Sequence, residues 1–145
     1  METKILQGPF MVCTVNYDKE SEKGKERVKE QYAVRADSFT EAEAEMTELL
    51  QHYNPYVKEI KRAAFSSIII PEREAERFYR VKVKTMVVNE RTGKEKTAAE
   101  YHLVCADSTA EAETLTAKIM RASIADHEVE SIVETKITEI IYHND

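Results

Sequence analysis

Ala36-Asp37-Ser38-Phe39-Thr40-Glu41-Ala42-Glu43 and Ala106-Asp107-Ser108-Thr109-Ala110-Glu111-Ala112-Glu113 are one segment written twice, 70 positions apart. In each, a serine stands three residues before a glutamate, and apolar residues then recur at helical spacing. This is the capping-box pattern, in which serine oxygen and glutamate carboxylate satisfy amides that the first turn leaves free. A helix is therefore expected to begin at each site. Ala42, Met46, Leu49, Leu50 and Tyr53 form an apolar stripe after the first start, and Ala112, Leu115, Ile119 and Ala122 after the second. Asn54-Pro55 ends the first helix.

The repeat extends outward from these segments. Gly24-Lys25-Glu26 returns as Gly93-Lys94-Glu95, and Tyr32 as Tyr101, at an offset of 69. The step from 69 to 70 implies one inserted residue, expected as a bulge in the strand that ends at Cys105. Val57, Ile60, Phe65, Ile68 and Ile69 return as Val129, Ile132, Ile137, Ile140 and Ile141 at an offset of 72. Each copy opens with a strand. In the second, Tyr79, Val81 and Val83 alternate with Arg80, Lys82 and Lys84, the period of a half-buried strand. The charged stretches Asp18 to Lys25 and Asn89 to Lys94 each carry a glycine and read as hairpin loops.

The expected fold class is α+β: a tandem duplication of a β-β-α-β unit, with antiparallel hairpins and one helix per unit, related by a pseudo-twofold axis. Residues 1–70 form the first unit and 71–145 the second, sharing one core as a single structural domain, because so small a unit buries too little surface alone. Val57 to Ile70 and Val129 to Tyr142 read as long terminal strands bent midway, and Pro71 to Arg77 as a short helical connector. At the offset of 69, Met11, Cys13 and Val15 align with the cationic Arg80, Lys82 and Lys84. The first copy would then turn an apolar face outward. Met11, Cys13, Val15 and Tyr17 are accordingly expected to form the interface of a homodimer.

Composition narrows the function. The chain has 145 residues and a formal charge of -6, with 33% charged residues, which argues against broad electrostatic capture of nucleic acid. No apolar run reaches the ~18 residues of a membrane span, and Met1 to Gly8 lacks the pattern of a secretory signal, so a cytoplasmic protein is expected. Cys13 and Cys105 lie in apolar strands and read as reduced core thiols. No histidine sits at helical ligand spacing from another histidine or a cysteine, so no metal and no cofactor is expected. No phosphate-cradling glycine loop and no nucleophile elbow is present, and no catalytic residue is assigned.

The local excess of positive charge lies beside aromatic rings: Lys58, Lys61 and Arg62 before Phe65, then Arg73, Arg77, Arg80, Lys82 and Lys84 around Phe78 and Tyr79, with His102 on the return strand. Cations beside rings suit a phosphate joined to a base. A solvated strand face with lysines set against aggregation gives the same pattern.

The run Ala36 to Ala44, then Glu59-Ile60-Lys61-Arg62-Ala63 and Phe78-Tyr79-Arg80-Val81-Lys82, resembles a family of uncharacterised short proteins encoded by gut bacteria and their tailed phages. The resemblance covers nearly the whole chain and departs at Phe78, where a tryptophan is expected. It implies a phage or mobile-element setting and supplies no activity. The expected function is a non-enzymatic binding protein that captures a small anionic ligand, such as a nucleotide signal, in a cleft between the duplicated units or in an oligomer. Its alternative is an adaptor or inhibitor of a host or phage protein, for example a defence component, with nucleic-acid binding a weaker third.

Overall fold

The computed structural model describes residues 3–121 and 127–143. In chain order it contains β1 (Lys4–Gln7), β2 (Phe10–Ser21), β3 (Gly24–Arg35), α1 (Phe39–Leu49), a 3-10 turn (Gln51–Tyr53), β4 (Tyr56–Arg62), β5 (Ser67–Ile70), β6 (Arg77–Val88), β7 (Glu95–Ala106), α2 (Thr109–Met120), β8 (His127–Glu134) and β9 (Ile137–Ile141). The protein is α+β, with two helices and two sheets among the described residues.

Both helices start where the serines place them. Ser38 Oγ accepts from Glu41 N and Ser108 Oγ from Glu111 N, each at 3.1 Å. The glutamates reach back to the amides of Asp37 and Asp107, at 3.3 and 3.2 Å. Each helix therefore begins with one first-turn amide paired by its serine and the amide just before the cap paired by its glutamate. Asn54 takes a left-handed conformation, with φ of 52°, and ends the 3-10 turn before Pro55.

The sheets run β1-β5-β7-β6-β8 and β4-β2-β3-β9. In each, a long antiparallel hairpin, β6–β7 or β2–β3, is flanked by the strand that follows its helix, β8 or β4. The other flank comes from the far half of the sequence: β5 runs parallel to β7, and β9 runs parallel to β3. The chain accordingly divides into two compact units that differ from the expected boundary after residue 70. One comprises Met1–Gln7 and Phe65–Thr135; the other comprises Gly8–Ala64 and Lys136–Asp145.

Three expected features are corrected. Val57 to Ile70 and Val129 to Tyr142 are each two strands, β4 and β5 in the first and β8 and β9 in the second, that pair in different sheets. Pro71 to Arg77 is not a helix: Glu76 N donates to Asp107 Oδ1 at 3.0 Å, and Cys105 Sγ donates to the carbonyl of Ala75 at 3.3 Å. Those bonds hold the backbone in an irregular lead-in to β6. The β6–β7 ladder is continuous from Arg77 opposite Ala106 to Val88 opposite Glu95, so no bulge precedes Cys105. The register shifts fall at Thr14/Val15, Gln31/Tyr32 and Lys82/Val83 instead.

In the four-stranded unit, Met11, Cys13, Val15 and Tyr17 on β2 join Tyr32 and Val34 on β3 in one buried cluster under Ala42, Met46 and Leu50 of α1 and the turn after it. In the five-stranded unit, Tyr79, Val81 and Val83 join Ile69, Val104 and Ala106 with Ala112 of α2, and Leu115 and Ile119 pack against them. Ala122, assigned to the same stripe, lies outside the described residues. The face expected to form a homodimer interface is thus interior. Met11, Cys13 and Val15 have no exposed surface and Tyr17 keeps only 8%, because α1 of the same unit already removes them from water.

Candidate functional site

The basic and aromatic residues singled out by sequence do not assemble into one site. Lys61 and Arg62 lie on β4 in the four-stranded unit, whereas Phe65, Arg77, Phe78, Tyr79, Arg80, Lys82, Lys84 and His102 lie in the five-stranded unit. Phe65, Phe78 and Tyr79 are buried. Arg80 and Lys82 stand over the Tyr101 ring, 5.8 and 6.0 Å from its centroid, with Lys84 exposed further along the same strand face. Their neighbours are acidic. Lys82 Nζ is 3.5 Å from Glu130, Arg77 Nε is 3.6 Å from Glu134, and Lys61 Nζ is 2.8 Å from Glu59. Arg62 stacks over Phe39 at 5.1 Å. Three of these six cations, Lys61, Arg77 and Lys82, are thus already matched by a carboxylate.

His102 faces the other way, opposite Val81 on the helix-covered side. Its Nδ1 is 2.5 Å from Ser67 Oγ across the parallel β5–β7 pair. Glu100 Oε2 lies 3.4 Å from Nε2 without hydrogen-bond geometry, which leaves that buried nitrogen without a hydrogen-bond partner among the described residues. Ser67 itself is only 5% exposed.

A second group of cations without ion pairs lies on the helix-free face of the four-stranded sheet. Side chains alternate along β3, so Lys29 and Gln31 point away from the face that holds Tyr32 and Val34. A groove of about 180 Å³ is lined there by Lys29, Gln31, Thr14, Lys58, Lys136 and Thr138 together with Glu30 and Glu59. Thr138 Oγ1 donates to the carbonyl of Gln31 at 3.1 Å and fixes the corner where β9 meets β3. Glu59 is engaged by Lys61. Lys29, Lys58 and Lys136 have no carboxylate within 4.0 Å among the described residues. Of these three, sequence reasoning noted only Lys58 as part of the basic run. Lys29 could have been found by alternation from Tyr32, but the approach of Lys136 depends on β9 crossing to the first sheet, which no local pattern announces.

The thiols are inert by environment. Burial pushes Cys13 up to about 11 and, aided by the nearby carboxylates of Asp107 and Glu111, Cys105 up to about 11. No cluster of histidine, cysteine, aspartate and glutamate able to hold a metal ion occurs among the described residues. None of the described helices is long and apolar enough to cross a membrane.

Two sheets, each carrying one helix, with a groove on one of them lined by three lysines and two glutamates, define a mixed α+β protein with a polar surface site. The chain belongs to the DUF4494 family, a domain of unknown function, whose profile matches residues 9–143. Neither the curated proteins nor the solved structures contain a match.

Proposed function

We propose that the protein is a non-enzymatic binding protein that captures a small anionic ligand of the phosphate or nucleotide type, and that the lysine groove holds the anionic group. The observation that carries this reading is the gathering of Lys29, Lys58 and Lys136 around one groove with no carboxylate partner among the described residues, in a chain of net charge -6. Neighbouring ammonium groups repel one another, and a bound anion turns that cost into attraction. The hydroxyl of Thr14 and the amide of Gln31 add neutral hydrogen-bonding groups. At about 180 Å³ the groove is below the usual range of whole-ligand pockets, so it fits a phosphate or carboxylate head with the body of the ligand outside.

Duplication of one β-β-α-β unit belongs to the same proposal. Met11 faces Val34 as Tyr79 faces Val104, Cys13 faces Ile60 as Val81 faces Ile132, and Val34 faces Ile141 as Val104 faces Ile69. On that correspondence Lys58 matches Glu130 and Thr14 matches Lys82. The Lys82–Glu130 ion pair therefore occupies, in the five-stranded unit, the place that the groove holds in the other. One copy holds an ion pair at the position, and the other holds Lys58 with no carboxylate within 4.0 Å among the described residues. In a phage or mobile-element setting, a protein of this kind would lower the free concentration of a nucleotide-type signal.

Calorimetric titration with inorganic phosphate and with linear and cyclic nucleotides tests the reading. Saturable binding is expected, weakened about tenfold or more by Lys58→Glu or Lys136→Glu and unchanged by Lys82→Glu. Absence of any heat at millimolar anion removes the small-anion function.

A further inference from the structure

The helix-covered face of the same sheet carries chemistry of the opposite sign. Beyond the apolar cluster under α1, the β2 and β3 positions turn polar. Tyr17 donates its hydroxyl to Glu30 Oε1, and Tyr32 donates to the same oxygen at 3.3 Å. Burial first, then the bond to Glu30, raises the Tyr17 phenol; burial, then the bond and charge of Tyr17, raises Tyr32. Both rings are donors at neutral pH, and both spend their protons on one oxygen. The other oxygen, Oε2, accepts no hydrogen bond among the described residues, and its nearest cation, Lys19 Nζ, is 3.9 Å away.

A cavity of about 340 Å³ opens beside this network, walled by Tyr17, Tyr32, Leu49, Leu50, Tyr53 and Glu139. Leu49 and Tyr53 continue the apolar stripe of α1, yet they are 46% and 41% exposed. They are walls of this cavity rather than core. Lys19 and Glu20 also border it. Three phenol rings and two leucines offer a surface for an apolar body, and the ring faces attract a cation. Glu20, Glu139 and the half-satisfied Glu30 set three carboxylates against one ammonium, so the cavity repels anions and favours a positive ligand.

We infer that this cavity is a second binding site, for a small organic cation: an alkyl- or arylamine whose apolar body lies between Leu49 and Tyr53 and whose ammonium replaces Lys19 beside Glu30. Its volume lies within the range of small-ligand pockets. The proposal rests on observations other than the lysine groove; Glu30 borders both, with its carboxylate held on the helix-covered face by Tyr17 and Tyr32.

Phenethylamine, phenethyl alcohol and phenylacetate are close in size and differ in charge, which makes them suitable probes on the intact chain by calorimetry and NMR. Phenethylamine should bind and shift the ring resonances of Tyr17, Tyr32 and Tyr53, with the alcohol at least about tenfold weaker and phenylacetate silent. Glu30→Gln should weaken the amine by about tenfold or more, while Lys19→Met, at an exposed position, should strengthen it and leave the melting curve in place. Phenylacetate binding as well as the amine, amine binding unchanged in both Glu30→Gln and Tyr53→Ala, or no amine binding at millimolar concentration, overturns the site. Lys58→Glu should leave amine binding unchanged, so either site can fail without the other.

Discussion

Cys13 stands directly across the β2–β3 ladder from Tyr32, and both side chains lie in the cluster beneath α1. That one pairing decides which face of the first hairpin is interior. Val15, two residues on, has no exposed surface. Val15→Lys should therefore destabilise the fold by roughly 3–5 kcal/mol, an unpaired charge in an apolar site, rather than release a folded monomer from a dimer. Urea denaturation checks this; a variant that keeps its native midpoint would return this face to the surface.

Ser38→Ala and Ser108→Ala should each cost about 1 kcal/mol, since each removes the acceptor for the amide of Glu41 or Glu111. The two effects should add, because the helices belong to separate units. Thermal melts that do not move would place the helix starts elsewhere.

Stability should fall in alkali from about pH 9. The Cys13 thiol is raised from 9.0 to about 11 by burial, and Cys105 likewise, so the native state holds protons that the unfolded chain has released. Their contribution is complete below pH 9 and is lost as pH climbs through 11, on the order of 2–3 kcal/mol for each thiol. The raised phenols of Tyr17 and Tyr32 act in the same direction above pH 10. Cys13→Ala should flatten part of the slope. Unfolding free energies that hold level from pH 9 to 11 would contradict the burial of these groups.

Neither residues 1–70 nor residues 71–145 should fold alone. The first fragment has β4, β2 and β3 without β9, and carries β1 and β5 without β7; the second has the complementary deficits. Mixed, the two should recover the dispersed amide spectrum of the whole chain. A sharp monomeric spectrum from residues 1–70 alone would show that β9 is dispensable.

The helices and the two long hairpins were legible in the sequence, and the register was not. Gly24 and Gly93 look equivalent because both turn with positive φ, of 108° and 71°. However, the first hairpin turns within residues 22–23 and the second within residues 89–94, so loop glycines are poor rulers for the strands beside them. Aligning on them set Met11 against Arg80, whereas the ladder sets Met11 against Val34 as it sets Tyr79 against Val104. A slip of one residue exchanges the faces of a strand, and this one turned a core into an imagined interface. The capping serines stand immediately before the helices, and they gave the right starts. Of the two sites, the cavity was hidden because Leu49 and Tyr53 read as core, and the groove because β9 arrives from the other end of the chain.

The parallel pairing of β9 with β3 also governs when the protein can be finished. During synthesis β3 emerges on the order of a hundred residues before the strand that will cover its edge, a wait of roughly 5–20 s at ordinary elongation rates. Throughout that interval the backbone of Gln31 to Val34 offers unpaired donors and acceptors to any passing strand. The nascent chain meets that hazard with charge, for Glu26, Arg27, Lys29 and Glu30 lie just ahead on the same strand and discourage a neighbour from zipping on. Only when β9 has followed can the oldest sheet close.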